Sequence, residues 1–162
     1  MLIIAPDARI SPLADIEDSV RGSRIVIESG VMVDSFVKIK PAGGSGDLII
    51  GRGSYVNSGT VLYTGNGIRI GQGVLIAANC VLAPVNHEFH ARDRTIMEQR
   101  FAASKGGIVI EDDVWLGAGT VVLDGAHIGR GCVVGAGSVV RGKLEEYGIY
   151  TGNPLVRKGE RR

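Results

Sequence analysis

Residues 110–139 read IEDDVW, LGAGTV, VLDGAH, IGRGCV and VGAGSV; one aliphatic side chain opens each block of six, and Val140 opens the next. Four positions after each opener stands a small or modest side chain: Val114, Thr120, Ala126, Cys132 and Ser138. The same frame recurs upstream as IGRGSY, VNSGTV and LYTGNG from Ile50, and as IGQGVL, IAANCV and LAPVNH from Ile70. Weaker copies start at Ile27 (IESGVM, VDSFVK) and at Ile10 (ISPLAD, IEDSVR). An amphipathic helix would repeat its apolar stripe near 3.6 residues, and an open antiparallel sheet would alternate by two. A period of six does neither. It predicts a short strand and a turn per block, with one aliphatic per block pointing into a prism and three blocks making a coil. A single block cannot bury its own apolar side, so stability must come from stacking coil on coil. The expected fold class is all-β, a parallel β-helix formed by one domain over 1–162, with an irregular start over 1–26 and a closing segment over 141–162.

Composition agrees with this reading. The chain has 25 glycines, about twice the usual share of roughly 7%. They cluster beside the aliphatics, as in Gly117-Ala118-Gly119 and Gly135-Ala136-Gly137, where tight corners call for unusual dihedrals. A net charge of +1 leaves no cationic surplus to hold a nucleic acid. No apolar stretch approaches the roughly 20 residues that cross a bilayer, so no membrane contact is expected. Leu2-Ile3-Ile4-Ala5 is too short for a secretory leader and meets Pro6 and Asp7 at once. Cys80 and Cys132 occupy the same place in their blocks; they read as core thiols in a reducing, cytoplasmic setting, with a disulfide between them as the other outcome.

The period slips in three places: between Ile39 and Ile50, between Leu62 and Ile70, and between Leu82 and Ile110. The first, PAGGSGD, reads as a surface turn and nothing more, and the second is slight. The third is a long protruding loop over about 83–109, and an excursion of that length inside a repeat protein is usually functional or disordered. It carries His87 and His90, two of the 3 histidines. The last, His127, falls in the regular run and reads as an exposed corner residue.

These features resemble the hexapeptide-repeat acyltransferases, over about Ile27 to Pro154, and the resemblance implies that the β-helix is left-handed. The loop is similar to that of the galactoside, maltose and lipopolysaccharide or capsule O-acetyltransferases. It implies transfer of an acetyl group from acetyl-CoA to a sugar hydroxyl, no metal, a homotrimer with sites between subunits, and His87 as general base. Asn86-His87-Glu88-Phe89 and the later Ile96 to Gln99 carry the likeness. The chemistry asks for such a base. A hydroxyl is a poor nucleophile at neutral pH, and an imidazole in reach is worth roughly 10²–10⁴-fold. His90 matches no catalytic position and reads as an orienting partner or an acceptor contact.

Val114-Trp115-Leu116-Gly117-Ala118 resembles the family's VWIG segment, which implies that Trp115 flanks the site while Gly117 and Ala118 lie along the CoA arm. A large ring pointing off the prism should cover a ligand or a neighbouring subunit; packing beneath the long loop is the plain alternative. Ala136 corresponds to a second backbone contact with CoA. Tyr150-Thr151-Gly152-Asn153-Pro154 is similar to the family's closing AGNPA element, so Arg141, Arg157 and Lys158 are candidates for the CoA phosphates. The chain departs from the family in having Arg141-Gly142-Lys143-Leu144-Glu145-Glu146 where Thr-Lys-Asp-Val-Pro-Pro is usual, and Leu155 where alanine is common. Asn57 matches an asparagine that contacts the sugar in the galactoside enzymes, whereas Gly65 replaces their acidic contact, so the acceptor does not carry over.

Three other readings stand beside sugar O-acetylation. N-acetylation of an amino sugar, a sugar nucleotide or another small amine would use the same base. A γ-type carbonic anhydrase shares the prism and holds zinc with three histidines, but its H-x₄-H pair is missing here. A non-catalytic β-helix would need neither the histidine loop nor Trp115 nor the GNP closure.

Overall fold

Every block-opening aliphatic from Ile110 to Val140 points inward and is buried to 1% exposure or less in the computed structural model, which describes residues 1–162. The small side chains four positions later are also inside, and their polar members are satisfied. The hydroxyls of Thr120 and Ser138 each donate to a carbonyl of their own turn, Gly117 and Gly135, at 2.6 Å. A hydroxyl left unpaired at such a depth would cost about 1–3 kcal/mol. The period of six thus encodes two inward positions per block, one for bulk and one for a side chain that fits a corner.

The strands are two or three residues long, except for the last two of four and five residues, and stack into three sheets of seven, eight and six members. Pairing is parallel and in register throughout; Trp115, for example, lies between Leu75 and Val133. The exception is the last strand, Val156–Glu160, which folds back antiparallel on Gly148–Thr151 and closes the second sheet. Twenty-eight buried side chains form a single core down the prism axis. Each buried aliphatic is worth roughly 1.5–3 kcal/mol, and no coil could collect that alone. The architecture is a left-handed parallel β-helix with one protruding loop.

The start of the chain differs from expectation. Leu2–Ile4, Arg9–Ile10 and Asp15–Ile16 each join one of the three sheets, so residues 1–16 form a first coil and only 17–24 depart from the pattern. The repeat was obscured there because the departure at 17–24 breaks the phase between this coil and the regular run that follows. The closing segment is also more regular than expected, because Lys143–Leu144 still joins the first sheet.

All four departures from the period (17–24, 41–47, 64–67 and 84–107) fall at one corner, where the chain leaves the third sheet for the first. They stack. The amide of Gly65 donates to Ala42, and that of Asn66 donates to the carbonyl of Pro84 at the root of the long loop. PAGGSGD is therefore more than a surface turn. At Gly43, φ is +80° and an added Cβ would lie 2.7 Å from Val85 and 3.2 Å from the ring of Phe101. The glycine lets the loop root sit down on the coil beneath it.

Candidate active site

The long loop is a hairpin with a knotted tip. Its two limbs are cross-linked by the amide of Glu88 donating to Arg100 (3.0 Å) and that of Ala102 donating to Asn86 (2.8 Å). At the tip, Thr95 and Glu98 form a reciprocal capping box on the single helical turn Ile96–Gln99, satisfying orphan amides. The Gln99 side chain binds both the amide and the carbonyl of Ala91, at 2.9 and 3.0 Å. The loop is therefore ordered by its own hydrogen bonds rather than by apolar burial.

His87 sits opposite Phe101 in this hairpin, with ring centroids 4.9 Å apart. Its Nδ1 lies 3.0 Å from the carbonyl oxygen of Arg100. A carbonyl only accepts, so Nδ1 carries the proton and Nε2 keeps its lone pair. Arg100 ends the helical turn with φ +61° and ψ −137°, a backbone state that L residues rarely hold and that tends to occur where geometry serves function. It turns its carbonyl onto the hairpin partner.

The imidazole faces a cleft of about 590 Å³ lined by Asn86, Phe89, His90, Ile96 and Lys105 among others. His90 is well exposed, stacks on Phe89 at 4.5 Å and binds Glu88 through Nδ1 at 2.5 Å. That bond, with the amides of His90 and Phe89, draws the Glu88 carboxyl down to about 2. The two loop histidines thus share one cleft, each with Nδ1 engaged and Nε2 open.

Other predicted residues stand on a different corner. Asn57, Gly117 and Ala118 follow strands of the second sheet, as does Ala136, at the turn into the third sheet. Gly117 is buried, its amide and carbonyl are taken by Val134 and Thr120, and a Cβ there would lie 2.5 Å from the Ala136 nitrogen. It is a glycine because the next coil presses on it. Ala118 and Ala136 are exposed, and their amides have no acceptor in the chain. They form a row of free donors beside small side chains, which suits a narrow amide-bearing arm. Trp115 is 48% exposed on the outer face of the second sheet and does not lie under its own loop. The Asn57 side chain donates to the carbonyl of Ile76 at 2.7 Å, leaving its oxygen for a ligand. Arg157 and Lys158 lie on the exposed last strand of this sheet, Arg157 paired with Glu160 at 3.2 Å. Arg141, by contrast, is on the His87 corner, in a groove with Asn86 and Lys105.

One chain therefore does not bring His87 to the amides of Ala118 and Ala136. A whole face of the prism, the third sheet, separates the two corners.

His127 is not a corner residue: it lies in the strand His127–Ile128, and its Nε2 binds Glu111 at 2.7 Å. That bond is the first cause of the lowered Glu111 carboxyl. The two cysteines are free and buried, which matches core thiols. Sequence reasoning missed Arg100, which acts through its backbone, and Asp124, whose buried carboxylate accepts from the amides of Lys105 and Gly107 and from Asn66 at 2.8, 2.9 and 3.2 Å. Asp124 sits among regular repeats, and only its low exposure marks it.

Comparison with known proteins now gives the class. Residues 107–142 match the family described as bacterial transferase hexapeptide (six repeats). The chain belongs to the hexapeptide-repeat acyltransferases, in the branch that contains the sugar O-acetyltransferases. It is 32% identical over 136 residues to the putative lipopolysaccharide biosynthesis O-acetyl transferase WbbJ of Escherichia coli, covering 80% of this chain and 66% of that one. Against the galactoside O-acetyltransferase of Lactococcus lactis it is 30% identical over 115 residues, covering 71% and 54%. The crystal structure of a mutant of AntD, an N-acyltransferase from Bacillus cereus in complex with dTDP-4-amino-4,6-dideoxyglucose and coenzyme A, superposes with a TM-score of 0.81 at 25% identity, covering 98% of this chain and 83% of that one. The chain spans 54% and 66% of those two curated relatives' own lengths. No helix is long and apolar enough to cross a membrane.

Proposed function

We propose that the protein is an acetyl-CoA-dependent O-acetyltransferase acting on a sugar hydroxyl, with His87 as general base. The observation that supports this most is the ring itself: Nδ1 is fixed by the Arg100 carbonyl at 3.0 Å, and Nε2 opens on a cleft large enough for a monosaccharide. Nε2 takes the proton of the acceptor hydroxyl as its oxygen attacks the thioester carbonyl. The tetrahedral oxyanion accepts from a free coil-edge amide, an arrangement worth about 3–4 kcal/mol for a single donor. Collapse breaks the C–S bond, and the imidazolium returns its proton to the departing CoA thiolate.

The donor amides belong to another corner, so the reading requires a second copy of the chain. We infer a homotrimer in which the His87 loop of one subunit faces Trp115, Ala118 and Ala136 of the next. Exposed apolar side chains on both sides support it: Phe89, Ile96, Met97 and Phe101 on the loop, and Leu75 and Trp115 on the second sheet. Asn57 and His90 would then flank the acceptor, and Arg157 and Lys158 the CoA phosphates. The free thiols of Cys80 and Cys132 agree with a cytoplasmic location.

N-acylation of an amino sugar nucleotide is the second reading, favoured by the fit to AntD over 98% of the chain. A panel of sugars, amino sugars and sugar nucleotides with acetyl-CoA, scored for thiol release, separates the two. Turnover confined to hydroxyl acceptors is expected; turnover confined to amines would overturn the first reading.

A further inference from the structure

Where the chain leaves the third sheet, successive coils place Pro41, Thr64, Pro84 and Asp124 at one station, each just after a strand paired in register with the next. The first three carry no charge, and the Thr64 hydroxyl is buried with no partner. Stacking of the coils therefore does not call for an ion there. Asp124 is 5% exposed, and a carboxylate at that depth is costly unless donors meet its oxygens. All its donors come from the insertions: the amides of Lys105 and Gly107, which end the long loop, and the side-chain amide of Asn66, in the insertion 64–67. Asn66 also holds the other root, because its backbone amide donates to Pro84 at 3.1 Å where the loop begins. Asn66 and Asp124 thus clasp both ends of the loop. No residue from 85 to 106 is buried, so the angle at which the loop projects is set at these roots.

We propose that the Asn66–Asp124 clasp sets the pitch of the loop and with it the reach of His87, Asp124 being a positioning residue for the transfer. This rests on the acyl-transfer reading. His87 has to meet donor amides that stand on another corner, and a displacement of about 1 Å between reacting groups can cost up to about 10²-fold. The Arg100 carbonyl orients the ring within the loop; the clasp orients the loop on the prism. The first decides which nitrogen acts, and the second where it acts.

Steady-state kinetics and amide hydrogen exchange on the full chain test the clasp together. Asp124→Asn sets an amide N–H₂ against N–H donors. Its kcat should fall about tenfold or more, while KM for acetyl-CoA stays within about threefold because the donor amides stand on another corner. Asn66→Ala removes one donor and should lower kcat by less. In the double variant the loss should fall short of the product of the two, as expected for groups that act as one unit. Exchange separates positioning from general stability. The amides at positions 66, 105 and 107 should exchange faster in both single variants, while those of Trp115 and Val121 and the thermal midpoint stay close to wild type. A kcat within twofold of wild type in folded Asp124→Asn would overturn the clasp and leave the transferase reading standing. So would a lower midpoint with faster exchange throughout the prism. A wild-type protein that releases no thiol with any acceptor would overturn the reading, and the role given to Asp124 with it.

Discussion

The carbonyl oxygen of Arg100 lies 3.0 Å from Nδ1 of His87, and that contact fixes which ring nitrogen is free to act. The loop holds its base through one backbone oxygen of a residue with φ +61°. Nitrogen-15 NMR should therefore find neutral His87 with its proton on Nδ1; a proton on Nε2 would contradict the assignment. Arg100→Gly keeps the carbonyl and reaches that φ readily, so activity should stay within about threefold. Arg100→Pro cannot adopt it and should lose tenfold or more.

The prism was legible because its signal is redundant: each inward position from Ile110 to Val140 repeats the same evidence, and a strict period survives local noise. The loop was legible as an interruption, and His87 as the histidine at its exit. Residues that act through the main chain were not. Arg100 looks like a surface cation, and its side chain plays no part in holding the ring. Asp124 looks like another corner aspartate, although its carboxylate ties the far limb of the loop to Asn66. His127 was misplaced although the frame holds there: it precedes the opener Ile128 as Trp115 precedes Leu116, and the position before an opener is an outward-facing strand position rather than a corner. Nothing in a linear repeat says that all insertions will share one corner.

If the site forms between copies, it can be rebuilt from two broken ones. His87→Ala removes the base, and Ala118→Trp fills the donor corner at an exposed position without touching the core. Each should be inactive alone. Mixed trimers should recover about a quarter of wild-type activity at equal ratio, because some interfaces pair an intact loop with an intact corner. No recovery in verified mixed trimers would place the whole site within one chain.

Glu88 is held down chiefly by the hydrogen bond from His90, then by the amides of His90 and Phe89. A carboxylate depressed by folding stabilises above its ordinary value of 4.5 and loses that contribution as pH falls through its folded value of about 2. The amide resonances of Phe89 and His90 should titrate with a midpoint near 2, and this transition should vanish in Glu88→Gln. A midpoint near 4.5 would show that the Glu88–His90 pair does not persist in solution.

Burial raises the thiols of both Cys80 and Cys132 above their ordinary value, so neither presents a thiolate at neutral pH. A thiol reagent should label fewer than about 0.1 groups per native chain and two after unfolding in guanidinium. Rapid labelling of the native protein would contradict the packing assigned to the core.

The most direct test is His87→Ala, assayed with acetyl-CoA and the best acceptor of the panel. The exposed ring contributes nothing to the core, so CoA affinity and thermal midpoint should match wild type while turnover falls at least about 10²-fold. Turnover within a few-fold of wild type in a folded, CoA-binding variant would remove His87 from the chemistry.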